Sequence, residues 1–329
     1  MLGRVGTFAL RATVTAGLLV LLAFVVADPG EMLQLLLRLS PVAALGTLLL
    51  TVGDRVLMAL KWRLLLTARG VPLGVWTAIR AYFATSLAGL LLPVTVGADA
   101  VRIMVVRQYG VYDVAASIVV ERTLGALAVL TVALASLAAL QARAMDIPGG
   151  PAVAIIGLGA AVAAAFVVSL YGAAVLGRRL QGSKATKLLR LVEAYAAYRA
   201  HPGTLCVFYL LSIVECLFPV LITWIAAWGL GFDLPFLMFA ISTPLALTVA
   251  RLPVSLGGFG VQEASFVYAA RLFGVGPTDA LAIMLVMDAV LLIALLPAAF
   301  DSGMLSLGRS QPAAAAGSAA IARGPRDEL

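Results

Sequence analysis

The chain has 329 residues, of which 63% are hydrophobic and only 12% are charged, with a mean hydropathy of +1.07. A soluble domain carries about 25% charged residues, so this composition excludes a soluble globular protein. The net charge is +7, and the whole pattern predicts an all-α polytopic membrane protein.

Six apolar segments reach the roughly 20 residues that a helix needs to cross the hydrocarbon core. They cover residues 8–27, 39–60, 114–140, 151–177, 204–230 and 279–300. The first follows Arg4 and Arg11 like a signal peptide, but Asp28-Pro29-Gly30-Glu31 lacks a cleavage pattern, so we predict a spanning helix. Residues 1–305 are predicted to form one membrane domain, and residues 306–329 a disordered cytoplasmic tail.

Two further apolar stretches, residues 75–93 and 234–250, each end at a similar motif. Residues 92–97 read LPVTVG and residues 252–257 read LPVSLG. A Gly/Pro break at corresponding positions of two hydrophobic halves is a pointer to a transport site built on an internal repeat. The residues predicted to let the hairpin backbone bend, or to approach a ligand closely, are Pro93, Gly97, Pro253, Gly257, Gly258 and Gly260.

Basic residues predict the orientation of these segments. Six lysines and arginines crowd residues 178–203, which places that loop in the cytoplasm. The loop stays inside only if residues 75–93 enter the membrane and return without crossing it. We therefore predict two halves, about 1–150 and 151–305, each with two helices, a re-entrant broken hairpin and a further helix, in inverted orientation. Both termini are then cytoplasmic.

Charged residues inside apolar segments are costly and are functional candidates. Asp99 and Arg102 stand three residues apart, so they could pair with each other or serve a substrate. Glu121 and Arg122 are adjacent and point about 100° apart on a helix, so each requires a partner elsewhere.

The remaining embedded charges have equally ordinary alternatives. Arg55, Lys61 and Arg63 could reach the cytoplasmic interface by snorkelling. Glu215 and Asp288 could be protonated and hydrogen-bonded to a neighbouring helix. Arg251 and Glu263 flank the second break.

Other chemistries find little support. His201 is the only histidine, so His-dependent catalysis and His-based metal sites are not expected. Cys206 and Cys216 share one predicted helix and lie too far apart for a disulfide. The chain contains neither GxxxxGK[ST] nor GxGxxG, so no nucleotide site is expected. We expect no cofactor, no nucleic-acid partner and no enzymatic activity.

Several motifs together resemble the transmembrane region of lysylphosphatidylglycerol synthases. They are Trp62-Arg63 followed by three leucines, Leu92-Pro93 with Gly97, Asp99 and Arg102, then Glu121-Arg122, Leu252-Pro253, the run GGFGV at residues 257–261, and Glu263. The similarity covers about residues 5–305. It implies a flippase-like membrane region, and the family also contains stand-alone proteins of about this length.

The resemblance also limits what is inherited. In the full synthases a cytosolic aminoacyl-transfer domain follows the membrane region; no such domain follows here, so we do not expect the synthase reaction. Residues 94–96, Ala98 and Gln262 depart from the family pattern. A different head group from the lysyl lipid is therefore expected.

The sequence thus predicts an inner-membrane, flippase-like transporter of a phosphate-bearing lipid. Guanidinium groups bind phosphate oxygens bidentately. The predicted head-group ligands are Arg55, Arg102, Arg122 and Arg251, and the carboxylates predicted to position them or to carry protons are Asp99, Glu121, Glu215, Glu263 and Asp288. Two alternatives remain open: a non-transporting accessory protein of lipid, hopanoid or polyprenyl-glycan synthesis, whose partners would be the enzymes of that synthesis, and a lipid-modifying enzyme.

Overall fold

The computed structural model describes residues 13–22, 24, 28–91, 95–142, 150–180, 186–250, 255 and 258–300. Every regular element in these ranges is helical. The helices are α1 (residues 13–21), α2 (Pro29–Leu37), α3 (Pro41–Ala68), α4 (Val75–Leu91), α5 (Thr95–Val105), α6 (Val111–Ala142), α7 (Gly150–Leu180), α8 (Thr186–Ala196), α9 (Pro202–Gly229), α10 (Phe236–Val249), α11 (Val261–Arg271) and α12 (Pro277–Phe300). The prediction of an all-α polytopic membrane fold is confirmed.

Among the described residues, five helices are long and apolar enough to cross a membrane, namely α3, α6, α7, α9 and α12. They correspond to five of the six predicted spans. The first predicted span, residues 8–27, is described only in part, so it stays a prediction. Pro93, Arg251, Pro253, Gly257 and the 306–329 tail lie outside the described residues.

Two elements differ in extent from the predicted segments. The second apolar segment was predicted at about residues 39–60, and α3 continues past Lys61 and Arg63 to Ala68. The helix continues because both cations have partners inside the protein, as described below. The loop at 178–203 contains α8 and a short 3-10 turn, Ala197–Ala200, where a continuous polar connection was expected.

Proline sets the first turn of several helices. Pro29, Pro41, Pro202 and Pro277 all occupy a first helical position, where the missing N–H has no intrahelical partner to lose. The Asp28 carboxylate adds a cap to α2, because it accepts the backbone N–H groups of residues 30 and 31 at 2.8 and 3.0 Å. Sequence therefore specifies these helix starts locally.

Within the described ranges, two pairs of short helices form hairpins. The arms α4 and α5 have 17 and 11 residues and pack together across residues 92–94. The arms α10 and α11 have 14 and 11 residues and pack together in the same way. Each arm is shorter than the roughly 20 residues needed to cross the hydrocarbon core, as the re-entrant prediction requires.

The order of helices is the same before and after residue 150. A helix, a short helix, a long helix, a hairpin and a final long helix follow one another as α1 to α6 and again as α7 to α12. The packing partners also correspond: α4 contacts α12 as α10 contacts α6, and α2 contacts α12 as α8 contacts α6. This correspondence is what an internal repeat produces, although the exact limits of the halves stay a prediction.

The equivalent helices α3 and α9 form the most extensive helix pair of the described structure, and they run antiparallel. Near one end, a Cβ added at Gly229 would collide with that of Ala43. Further along, a Cβ at Gly53 would lie 3.3 Å from the Phe218 ring. Small residues thus bring the two backbones close together. Antiparallel pairing of equivalent helices fits an inverted repeat, since a parallel repeat would align them.

Aromatic residues tie the helices together beside this pair. Trp62 of α3 is fully buried against α4 and α6, and its indole N–H donates to Ser117 Oγ at 3.0 Å. The Tyr198 hydroxyl, in the turn before α9, donates to the Leu65 carbonyl at 3.2 Å, and burial raises the pKa of this phenol. Both contacts hold α3 in the centre of the bundle.

Candidate functional site

Arg102, on the second arm of the first hairpin, is paired with Glu121 of α6. Its guanidinium donates to Glu121 Oε2 at 2.6 Å, and the Tyr82 hydroxyl of α4 donates to Glu121 Oε1 at 2.9 Å. Arg102 is 6% exposed. Of the two open alternatives for Arg102, pairing with its neighbour Asp99 is therefore not the one observed.

Asp99 instead accepts from Arg122, the residue next to Glu121. Arg122 Nε and a terminal nitrogen donate to the same oxygen, Asp99 Oδ2, at 3.0 and 2.5 Å. The prediction that Glu121 and Arg122 find separate partners elsewhere is confirmed. The Arg122 side chain is 51% exposed, so it is the accessible cation of this region.

Two aromatic rings flank the buried guanidinium of Arg102. It lies 4.5 Å from the ring centroid of Tyr82 and 5.2 Å from that of Trp62. Cation–π contacts of this kind are worth about 2 kcal/mol when water is excluded. The rings therefore fix the position of Arg102 independently of its carboxylate.

A third ion pair joins α3 to α9. Lys61 Nζ donates to Glu215 and, at 2.8 Å, to Ser212 Oγ, and it lies 4.7 Å from the Phe208 ring centroid. Lys61 is 3% exposed, so the snorkelling interpretation is wrong for this residue. Glu215 is held by a cation of the other half of the chain.

Arg55 and Asp54 complete this group on α3. Arg55 donates to Asp54 Oδ2 through Nε at 3.0 Å and through a terminal nitrogen at 2.5 Å. Asp54 is buried, and its other oxygen has no hydrogen-bond partner among the described residues. The Arg55 guanidinium also lies within electrostatic range of Tyr82 and Glu215, which brings the two groups together.

These side chains form one assembly, which we call the ion-pair network. Its carboxylates and cations are Asp54, Asp99, Glu121, Glu215, Arg55, Lys61, Arg102 and Arg122. Tyr82 lies between its two parts, within range of Arg55 and Glu215 on one side and of Arg102 and Glu121 on the other. With all eight groups ionised, the four positive and four negative charges cancel. Such pairing reduces the large cost of burying charge.

The second hairpin carries a different arrangement. Glu263 Oε2 accepts the backbone N–H of Gly260 at 2.5 Å, while Oε1 has no partner among the described residues. Gln262 Nε2 donates to Asp288 Oδ1 at 3.2 Å, and the Asp288 carboxyl group faces that of Glu263. No basic side chain of the described ranges pairs with either acid. Of the three glycines predicted before α11, the two described ones have positive φ, 88° at Gly258 and 82° at Gly260, which favours glycine there.

The structure thus divides the predicted site residues. Five of them, Arg55, Asp99, Arg102, Glu121 and Arg122, meet around the first hairpin and α3, and Glu215 joins them from α9. Glu263 and Asp288 lie together at the second hairpin. Gly97 lies within α5, and nothing is described of its surroundings. No role was predicted for Asp54, and Lys61 was predicted only to snorkel. Tyr82 was overlooked, because its position among apolar hairpin residues gave no signal beyond its hydroxyl group.

Arg63 has a local structural contact. Its Nε donates to the Leu73 carbonyl at 2.7 Å, across the turn from α3 to α4. Within the described ranges, no group of three or more metal-ligating residues could hold an ion. Cys206 and Cys216 both lie on α9, and no disulfide joins them in the part of the chain that the structure describes.

Comparison with known proteins identifies the family. The model of the lysylphosphatidylglycerol synthase TM region matches residues 8–299. Neither a curated protein nor a solved structure matches the chain. Because the matching region covers nearly the whole chain and contains both hairpins and the ion-pair network, this multi-pass membrane protein belongs to the lysylphosphatidylglycerol synthase transmembrane region family.

Proposed function

We propose that the protein is a flippase-like transporter that moves a phosphate-bearing lipid, or a lipid-linked intermediate, between leaflets. The observation that carries the proposal is the part of the ion-pair network that joins the first hairpin to α6. Arg102 of α5 pairs with Glu121 of α6, and Arg122 of α6 pairs with Asp99 of α5, so each helix gives one cation and one carboxylate to the other. A phosphate that replaces one carboxylate would keep each guanidinium satisfied, because Arg binds either group bidentately.

Exposure suggests the order of these contacts. Arg122 is half-exposed while Arg102 is buried, and their carboxylate partners lie on the opposite helix in each case. A head group would first compete with Asp99 for Arg122 and then reach Arg102, displacing Glu121. Glu121 would retain the Tyr82 hydroxyl as a donor during that step, so it would not be left without a partner.

We also propose that the protein resides in the cell (inner) membrane with both termini in the cytoplasm. The bases at residues 178–203 support this orientation under the positive-inside rule. Single cysteines at positions 184 and 146, in a background lacking Cys206 and Cys216, can be labelled from outside the cell. Position 146 should react and position 184 should not; the reverse pattern would contradict the topology.

One observation favours the accessory alternative. Every cation of the ion-pair network already has a carboxylate partner, which is what a purely structural network would also show. In addition, an apolar groove of about 730 Å³ lies between α2, α3 and α12 and is lined by residues such as Leu36, Leu45 and Leu285. None of the residues of the ion-pair network lines this groove, so the groove does not bring a lipid to the network. Only a transport measurement separates the two functions.

The test is reconstitution of the purified full chain into liposomes with head-group-labelled phospholipids, whose outer-leaflet label is chemically quenched. The wild type should expose inner-leaflet label faster than empty liposomes, and the lipid should be recovered chemically unchanged. Lys187→Ala is a suitable control, because Lys187 is exposed on α8. Wild-type rates equal to those of empty liposomes, across several phosphate-bearing lipids, would favour the accessory function.

A further inference from the structure

The Glu263 and Asp288 carboxyl groups differ from the carboxylates of the ion-pair network, because none of the described basic side chains is paired with them. Glu263 is fully buried and Asp288 is 6% exposed. Each has one oxygen satisfied, by the Gly260 N–H and by the Gln262 amide respectively. Glu263 Oε1 has no donor among the described residues, although the Glu263 and Asp288 carboxyl groups lie within interaction range of each other. A buried acceptor without a donor is rare in folded proteins.

The described side chains around the pair do not supply the missing donor. Helix α10, which packs on α11, carries no ionisable side chain. On the helices that pack on α12, the charged residues Asp54, Arg55, Lys61 and Glu215 pair with one another. Of the other ionisable residues on these helices, Tyr82 bonds to Glu121, Arg63 to a carbonyl and Tyr209 to Thr131. Arg80 of α4 has an interaction of its own, and Tyr268 and Arg271 of α11 are exposed. Asp279 interacts with Glu31, and the described groups that interact with Asp288 are Glu263 and Gln262.

Two adjacent carboxylates in an apolar environment repel each other, and burial disfavours both charges. A single proton resolves both difficulties. A protonated carboxyl group is a donor, so a proton on Asp288 would satisfy Glu263 Oε1 and reduce the charge of the pair to minus one.

We propose that Glu263 and Asp288 form a proton-binding site, in which one proton is shared between the second hairpin and α12. Binding of the proton holds α11 against α12, and its release leaves two facing carboxylates that push the hairpin away. The site would make lipid movement sensitive to pH, a role that rests on the proposed transport function. The proton site itself can be tested without any transport.

The direct measurement is infrared spectroscopy of the purified full chain, in which protonated carboxyl groups give a carbonyl band separate from carboxylates. The wild type should show a band at neutral pH that shifts in deuterated water. Asp288→Asn and Glu263→Gln should each remove it, because the amide N–H₂ then supplies the donor. The exposed Glu193→Gln on α8 is the control and should leave the band unchanged. A band that persists in both hairpin variants would overturn the proposal.

A second measurement covers the case in which the variants fail to fold. A hydrophobic carbodiimide reacts with protonated carboxyl groups in apolar surroundings, so the wild type should acquire an adduct at Glu263 or Asp288, more slowly as the pH is raised. Absence of an adduct at both residues, in protein labelled elsewhere, would also overturn the site. If the band and adduct are found but lipid movement is not, the proton site stands and the transport function fails; lipid movement without band or adduct gives the reverse result.

Discussion

The two hairpins occupy equivalent places in the fold but handle buried charge in opposite ways. The first hairpin places Arg102 and Asp99 against an acid and a base of α6, so charge is neutralised by ion pairs. The second places Glu263 against Asp288 of α12, with no basic partner in the described ranges. The same packing therefore supports two chemistries. The comparison indicates that the repeat provides the scaffold, while function depends on what each hairpin presents to its neighbouring long helix.

The largest effect is expected at Arg102. Arg102→Ala should reduce lipid movement to that of empty liposomes, because a charge-assisted contact of about 1.5–3 kcal/mol corresponds to roughly a tenfold to hundredfold loss of affinity. It should also destabilise the protein by about 3–5 kcal/mol, since Glu121 loses its buried partner. Glu121→Ala should behave in the same way. Flipping in liposomes and unfolding in detergent measure the two effects.

An exchange of the two residues separates function from structure. Arg102→Glu combined with Glu121→Arg keeps an ion pair between α5 and α6, so stability should recover part of the loss. Lipid movement should stay absent, because the guanidinium no longer lies between Tyr82 and Trp62. If the exchanged variant transports lipid normally, the pair is structural and the contrast between the hairpins loses its functional meaning.

The next effect is expected at Lys61, which joins α3 to α9 through Glu215. Lys61→Met should lower the free energy of unfolding by about 3–5 kcal/mol, because Glu215, whose side chain is only 20% exposed, loses the cation to which it is hydrogen-bonded. Lys61→Met with Glu215→Leu should recover most of that loss, since both charges are removed together. A double variant as unstable as the single one would show that the pair does more than neutralise charge.

Smaller changes are expected at the second hairpin. Glu263→Gln or Asp288→Asn should change the free energy of unfolding near neutral pH by no more than about 1 kcal/mol, the size of a single net hydrogen bond. The amide replaces the shared proton as donor, whereas at Arg102 no such replacement exists. Thermal unfolding of matched preparations provides the comparison. A loss as large as that of Arg102→Ala would mean that these acids hold an ion pair after all.

The smallest effect is expected at Asp99, whose partner is half-exposed. Asp99→Asn should cost no more than about 1 kcal/mol, because pairs that reach solvent contribute little. The variant should also bind an anionic head group more tightly, since Arg122 is no longer occupied by a carboxylate. Retention of labelled anionic lipid by the purified variant and the wild type measures this. Weaker retention by the variant would place Asp99 among the lipid ligands.

Much of the fold could be predicted because apolar length and Gly/Pro breaks are local signals. Five long helices and both hairpins follow from them. The end of α3 could not be predicted in this way, because Lys61 and Arg63 interrupt the apolar sequence and their partners are not visible in it. Glu215 lies 154 residues from Lys61, and no local pattern shows that α3 packs on α9.

The candidate site was predicted at the level of residues but only partly at the level of contacts. Adjacent Glu121 and Arg122 diverge on a helix, so their need for separate partners followed from geometry alone. The spacing of Asp99 and Arg102 favoured a pair within α5 equally well, and only the position of α6 decides against it. Tyr82 contributes a hydroxyl to Glu121 and a ring to Arg102, and a single aromatic residue in an apolar helix gives no sign of either role.

The close crossing of α3 and α9 limits how such a protein can move. The Ala43–Gly229 contact and the Lys61–Glu215 pair are separated by 18 residues of α3, about 27 Å along the axis, which is nearly the thickness of the hydrocarbon core. Two helices held together at both ends can neither slide nor tilt freely against each other. Rocking of one half of the protein against the other would therefore have to break these contacts. A cross-link between cysteines placed at Gly46 of α3 and Ile225 of α9, which lie in contact in the same helix pair, should therefore leave lipid movement intact. The parts that move would then be the short hairpin helices, while the α3–α9 pair stays fixed.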